Sequence, residues 1–390
     1  MLRSLKIEGF KAYGEAVIAL RPFTVLIGPN GAGKTTLMEA IDILNWLVTG
    51  TIAELMERKG WEYGDLPHLR APTKAFSITA TLWLRGRIVV WKLGLGARRR
   101  PGISHEKVTV FPEGADGTGD DGDVVLERTG RRMTRKSEEK DSKQESIEQT
   151  LTSSWLSAVS DDDKKRFPWL VAVASWARAI RGYFFLDPLK LRAPSRIQQG
   201  DGIGVNGENL ASFLFQLRRR DRAAFTRVQK RVQKHYPRLV ELTPKAGKYG
   251  WTNLEVTERW NGETAQFNAR QVSSGLLRLV TVAAMHELSE RPTVLLLDEI
   301  ENGVHPHLLG GFVKMLQELV AEGETQVILA THSPLTVNFC DPGDVILVTR
   351  GKRGHPTCVP LDRTKGFERL ARHFGPGELW YNVGEDALTR

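Results

Sequence analysis

The chain has 390 residues, 41% hydrophobic and 26% charged, enough apolar side chain for one large or two ordinary cored domains. No apolar run reaches the length of a membrane span, and the opening MLRSLKIEGF lacks the apolar stretch of an export signal, so a cytoplasmic protein with no membrane partner is expected. Lys and Arg outnumber Asp and Glu by 55 to 46, a net charge of +9, which admits an anionic partner such as nucleic acid without requiring one. Cys340 and Cys358 have neither metal-ligand nor redox spacing and read as buried small side chains.

Three short strands are predicted first, LRSLKIEGF, EAVIAL and FTVLIG, followed by a helix from Thr35 to about Val48. In FSITATLWL, Phe76, Ile78, Ala80, Leu82 and Leu84 alternate with their neighbours, and Arg85-Gly86-Arg87 turns this strand into IVVWKLGL. From Glu113 to Ser154 the composition shifts to Gly and Asp, then to Lys, Glu, Ser and Gln, so a mobile polar insertion is expected. Between Asn209 and about Val240, Leu210, Phe213, Leu214, Leu217, Phe225, Val228 and Val232 recur at helical spacing, broken near Arg218 to Asp221. Two helices are predicted there, with Arg218, Arg219, Arg220, Arg222, Arg227, Lys230, Arg231 and Lys234 on the other face. Asn261-Gly262 marks a hairpin, and TVLLL (293–297) and QVILA (326–330) read as buried parallel strands among helices. The expected organisation is a first lobe at 1–112, the polar insertion at 113–154, a helical arm or lid at 155–260 and a second lobe at 261–390.

GPNGAGKTT, Gly28 to Thr36, follows a strand and opens a helix, the context in which this pattern cradles phosphate. The loop Asn30, Gly31, Ala32 and Gly33 offers backbone N–H groups, Lys34 suits the outer phosphates of a nucleotide, and Thr35, followed by Thr36, suits Mg²⁺. Asp298 and Glu299 end the buried strand TVLLL, so Asp298 suits the metal and Glu299 the orientation or deprotonation of attacking water. Standing alone, such an acid pair equally suits a strand-to-helix cap, His332 in ILATHSP suits a structural role, and Ser273 or Ser274 in QVSSGLLR is an N-cap.

Taken in order, KIEGFKAYG, GPNGAGKTT, VSSGLL, LLLDEIENGVHPHL and ATHSP resemble the ABC-type ATPases of the RecF, SMC, Rad50 and OLD group, and among them the stand-alone bacterial AAA-like ATPases of phage-defence operons. The resemblance spans most of the chain outside 100–180. It implies an α/β P-loop NTPase of ABC-ATPase type, with a mixed sheet core, an antiparallel β lobe and a helical lobe, using ATP and Mg²⁺. It also implies a head-to-tail homodimer around two ATP molecules, in which Ser273, Ser274 and Gly275 read the γ-phosphate held by the partner. Glu299 would be the catalytic base, Lys34 and His332 would contact the γ-phosphate, and Glu301-Asn302-Gly303 would face the other subunit. Lys11 would lie beside the nucleotide, and Gln198 or Gln199 are candidates for a metal-sensing glutamine. The short stretch after His332 holds no Asp-x-Asp pair for a two-metal nuclease, so an ATPase controlling a partner effector, a nuclease or toxin, is expected. The alternative is a RecF-like repair ATPase that binds DNA through its basic helices.

Overall fold

The computed structural model describes all residues except 71–74, 98–100, 131, 138–144, 149–151, 185, 198–201, 300, 352–353, 385–387 and 389–390. In chain order the first part carries β1 (Leu2–Phe10), β2 (Tyr13–Ala19), β3 (Phe23–Ile27), α1 (Lys34–Thr49), α2 (Ile52–Lys59), β4 (Ala75–Leu84), β5 (Arg87–Ala97), β6 (Pro101–Val110), β7 (Asp123–Thr129), β8 (Arg132–Arg135), β9 (Glu145–Glu148) and α3 (Pro168–Arg178). The rest carries β10 (Ile180–Tyr183), α4 (Pro188–Arg192), β11 (Ser195–Arg196), α5 (Leu210–Arg220), α6 (Arg222–His235), β12 (Leu239–Ala246), β13 (Trp251–Trp260), β14 (Glu263–Asn268) and α7 (Ser274–Met285). It continues with β15 (Val294–Asp298), α8 (Pro306–Ala321), β16 (Gln326–Ala330), α9 (Pro334–Val337), β17 (Val345–Arg350), β18 (Pro356–Pro360), α10 (Phe367–Leu370) and α11 (Pro376–Val383). Two compact units emerge, Met1–Arg181 with Ile346–Pro360, and Gly182–Val345 with Leu361–Arg390. The division therefore falls elsewhere than at 112, 154 and 260: residues 155–181 belong with the N-terminal unit, and the β17–β18 hairpin returns to it.

The first unit is built on an antiparallel sheet in the order β2-β1-β4-β5-β6-β7-β8-β9. Strict alternation puts Leu5 and Ile7 of β1, Ile78, Ala80 and Leu82 of β4, and Val89, Trp91 and Leu93 of β5 on one fully buried face. The β4–β5 hairpin turns where the sequence predicts, pairing Leu84 with Arg87. The polar stretch from Glu113 differs from expectation, because β7, β8 and β9 extend this sheet, and Val125, Leu126 and Met133 are buried. An outer strand bonds through its backbone and needs few apolar side chains, so composition alone hides it. Ser154 and Trp155 are anchored to the sheet through Glu106, which is fully buried and accepts from Ser154 Oγ at 2.5 Å, Trp155 N at 2.8 Å and Trp91 Nε1 at 3.1 Å.

In the second unit β15 and β16 run parallel, with Asp298 opposite Ala330, so the residues after each strand emerge together. The predicted helical arm is a short helix pair, α5 and α6, beside a small antiparallel sheet of β11, β13, β12 and β14. Asp221 separates the helices and caps α6, its carboxylate accepting from Ala224 N at 2.9 Å. Asn261 and Gly262, both at positive φ, turn β13 into β14 as expected. The basic face of α6 is engaged with acids of its own unit: Arg227 and Arg231 with Glu287, Lys234 with Glu318, and Arg218 of α5 reaches toward Glu241.

Candidate functional site

In the first unit the candidate site is the turn from β3 into α1. The buried strand FTVLI delivers the chain to Gly28, whose φ of 139° and close backbone neighbour exclude a side chain: a Cβ there would stand 2.0 Å from Val348 O. Gly33, at φ 114°, is the N-cap of α1 and provides no side-chain cap, and a helix N-terminus favours an anion. Lys34 is 5% exposed, and its ammonium donates to Gly28 O at 2.8 Å and Pro29 O at 3.1 Å, holding the amine inside the loop that a phosphate would enter. Thr35 is exposed on the first helical turn, beside Thr36. Asn30 and Gly31 are exposed and Ala32 is buried.

Two supports of this loop escape sequence reasoning. Arg350 Nε donates to Gly31 O at 2.8 Å, and Tyr13 Oη donates to Gly33 O at 3.2 Å. Both come from strands distant in sequence, and no local pattern marks them. Tyr13 is fully buried, and burial above all, with the Cys358 sulfur at 3.7 Å, pushes its phenol far above the usual range. Cys340 is buried as expected, whereas Cys358 is only partly so; burial lifts their thiols to about 12 and about 11. Lys11 takes a left-handed backbone, pairs with Glu39 at 2.8 Å and lies 3.5 Å over the Trp61 ring, so its charge is engaged within the unit. Gln198 and Gln199 lie outside the described residues.

In the second unit the candidate residues lie at the ends of β15 and β16. Asp298 closes β15, and Glu299 follows with φ 48°, a left-handed conformation that an L side chain adopts only when the surroundings impose it. The imposition is visible: Glu299 N donates to Ala330 O at 2.9 Å. Its carboxylate is gripped at both oxygens, with His332 Nε2 3.2 Å from Oε1 and Asn302 Nδ2 donating to Oε2 at 2.8 Å. The structure thus brings Glu299 and His332 together, with Asp298 adjacent. The Thr35 hydroxyl and the Asp298 carboxylate are each a hard oxygen donor of the kind Mg²⁺ takes.

The third feature is the start of α7. Ser273 is its N-cap, the hydroxyl accepting from Leu276 N at 3.2 Å, so this serine does the capping that its sequence suggests. Ser274 is half-buried against the loop after β15, its Oγ 3.2 Å from where a Cβ of Gly303 would stand. A Cβ on Gly275 would stand 2.7 Å from Gly303 O, so only glycine allows the helix start to approach that loop. Asn302 and Gly303 are exposed, whereas Glu301, expected to face outward with them, is 4% exposed and turns into its own unit.

A family model described as "AAA domain, putative AbiEii toxin, Type IV TA system" matches residues 116–338, and an AAA ATPase domain model matches residues 1–47. The chain belongs to this AAA family. Within it the chain is an ABC-type ATPase of the RecF, SMC and OLD group. It is 43% identical over 44 residues to an OLD nuclease of Thermus scotoductus, 11% of this chain and 8% of that protein. It is 34% identical over 99 residues to the DNA replication and repair protein RecF of an Arthrobacter species, 25% of this chain and 22% of that protein. The matched stretches thus span less than a quarter of these relatives. An SMC head, solved bound to the C-winged helix domain of ScpA, superposes with a TM-score of 0.51 at 17% identity, covering 92% of this chain and 97% of that one, which places this AAA ATPase in the ABC-type P-loop fold. No helix among the described residues is long and apolar enough to cross a membrane.

Proposed function

We propose that this ATPase-family chain hydrolyses ATP in the presence of Mg²⁺, with the loop Gly28–Thr36 binding the nucleotide phosphates and the pair Asp298 and Glu299 serving the hydrolytic step. The observation that carries the reading is the Glu299 carboxylate, set on a left-handed backbone and held by His332 and Asn302. A general base must be oriented before it can take a proton in the transition state, and two fixed partners orient this one. Lys34 exchanges the carbonyls of Gly28 and Pro29 for phosphate oxygens, a like-for-like replacement of acceptors within the loop. The uncapped N–H groups of α1 stabilise negative charge on the transferred phosphoryl group. Thr35 and Asp298 would be the residues to hold Mg²⁺, which when bound would supply Lewis-acid charge to the phosphates. His332 holds Glu299 until a γ-phosphate competes for its imidazole.

On the same reading two copies close head to tail, with Ser274 and Gly275 of each meeting the ATP of the other, and the closed state controls a partner effector in bacterial anti-phage defence. The ion pairs of Arg227, Arg231 and Lys234 favour this over the DNA-repair alternative, because a basic face already matched by Glu287 and Glu318 has less charge to offer phosphates. Phosphate release from purified protein tests the chemistry. Lys34→Ala is expected to abolish turnover, and Glu299→Gln to bind ATP while slowing hydrolysis at least about a hundredfold. Wild-type turnover in Glu299→Gln would remove that residue from the role of base.

A further inference from the structure

The loop after β15 holds one acid to which this chemistry gives no task. Glu301 lies two residues beyond Glu299 and next to the exposed Asn302 and Gly303, yet it is 4% exposed. Burying a carboxyl group there is unfavourable unless something engages it. What engages it is the chain that carries His332: the Thr331 hydroxyl, itself fully buried, donates to Glu301 Oε1. The same hydroxyl oxygen accepts from Ser333 N at 2.9 Å, so one side chain fixes the backbone on both sides of His332. Glu301 Oε2 is buried without a hydrogen-bond partner among the described residues.

Helix α7, which carries the Ser273-Ser274-Gly275 signature turn at its start, reaches the same loop. Arg278, one turn into α7 and 3% exposed, donates to Leu186 O at 2.9 Å. The start of α7 also abuts the loop through Gly275 and Gly303. The loop bearing Glu299 and Glu301 is therefore tied to the strand end bearing His332 through Thr331, and the helix bearing Ser274 abuts the same loop at Gly303.

We propose that Glu301 is a positioning residue that keeps Glu299 and His332 in register with each other and with the signature helix α7. It touches no reacting atom and acts through Thr331 and the loop backbone. A shift of α7 carries Arg278 and the Gly303 backbone with it, and Glu301 passes that shift to the Glu299–His332 pair. Misplacing an oriented base by about 1 Å costs on the order of a hundredfold in rate, so this acid bears on kcat and hardly on ATP affinity. The inference rests on the hydrolysis reading above for its kinetic consequence, and its geometric part is measurable without turnover.

The test measures ATP hydrolysis and the His332 ring resonance by NMR, assigned by its loss in His332→Gln, for wild type, Lys34→Ala, Glu301→Gln, Glu301→Ala, Thr331→Val and the double variant Glu301→Ala/Thr331→Val. Expected are a drop in kcat of about thirtyfold for Glu301→Ala and Thr331→Val with KM within about twofold, no further drop in the double variant, and recovery of about tenfold in Glu301→Gln, whose amide oxygen still accepts from Thr331. The His332 resonance moves in the two damaging variants and stays near its wild-type position in Glu301→Gln. A folded Glu301→Ala with wild-type kcat and an unmoved resonance overturns the proposal; should that variant fail to fold, Thr331→Val decides by the same two readouts. If wild type shows no turnover that Lys34→Ala removes, it is the hydrolysis reading that falls, and the resonance alone then upholds or overturns the role of Glu301.

Discussion

Glu299 and Glu301 are two positions apart in one loop and live in opposite surroundings. The Glu299 side chain is 42% exposed, whereas Glu301 is nearly enclosed, and burial first, then the neighbouring Glu299 and Asp298, push its carboxyl up to about 7 against the opposing bond from Thr331. The folded chain therefore keeps the Glu301 proton through an interval in which the unfolded chain, near its ordinary value of 4.5, has lost it. The folded state binds more protons there, so this residue lowers stability as pH rises from about 4.5 to about 7, and the loss is complete above that. Glu301→Gln removes the dependence. Relative to wild type, the variant is expected to gain up to about 3 kcal/mol by pH 8 and little at pH 4.5, measured by urea unfolding across that range. A wild-type minus variant difference that stays constant with pH would show that Glu301 ionises in the fold as it does in the open chain.

At the scale of elements, the parts that were legible in the sequence are those in which side-chain pattern and backbone demand coincide. The β4–β5 hairpin shows its alternation, and the phosphate loop shows its glycines because Gly28 and Gly33 take φ values that other residues rarely adopt. Asp221 announced the break between α5 and α6. What stayed hidden depends on partners far along the chain, such as Arg350 on Gly31, or on strands joined through their backbone, such as β7 to β9. The anchor of that polar region is legible only in the structure: the buried Glu106 gathers Trp91, Ser154 and Trp155. Removing this buried carboxyl group leaves three donors without their shared partner. Glu106→Ala is therefore expected to cost about 3–5 kcal/mol of stability, read as a lower urea midpoint, and a loss below about 1 kcal/mol would mean that water replaces the carboxylate.

For the whole molecule the open step is the one between nucleotide and partner. The exposed Ser273, Asn302 and Gly303 lie around the start of α7, with Gly275 locked to the loop beneath, so this surface is shaped in a single chain before any second copy arrives. A preformed surface lowers the ordering cost of association, and what remains is the differential affinity of the closed pair for ATP, for which a few kcal/mol suffice. Glu299→Gln with ATP and Mg²⁺ is accordingly expected to run at twice the 43.7 kDa mass of one chain in light scattering. Adding Ser274→Arg, which places a long charged side chain over Gly303, should return it to one chain while single-chain ATP binding persists. An unchanged dimer in that double variant would take the signature turn out of the interface. Capture on the closed Glu299→Gln dimer then separates the two readings of function. A stoichiometric protein effector retained at high salt supports the defence reading. DNA that leaves as salt rises, with no such protein, supports the repair alternative, since phosphate contacts weaken steeply with ionic strength and buried protein interfaces much less so.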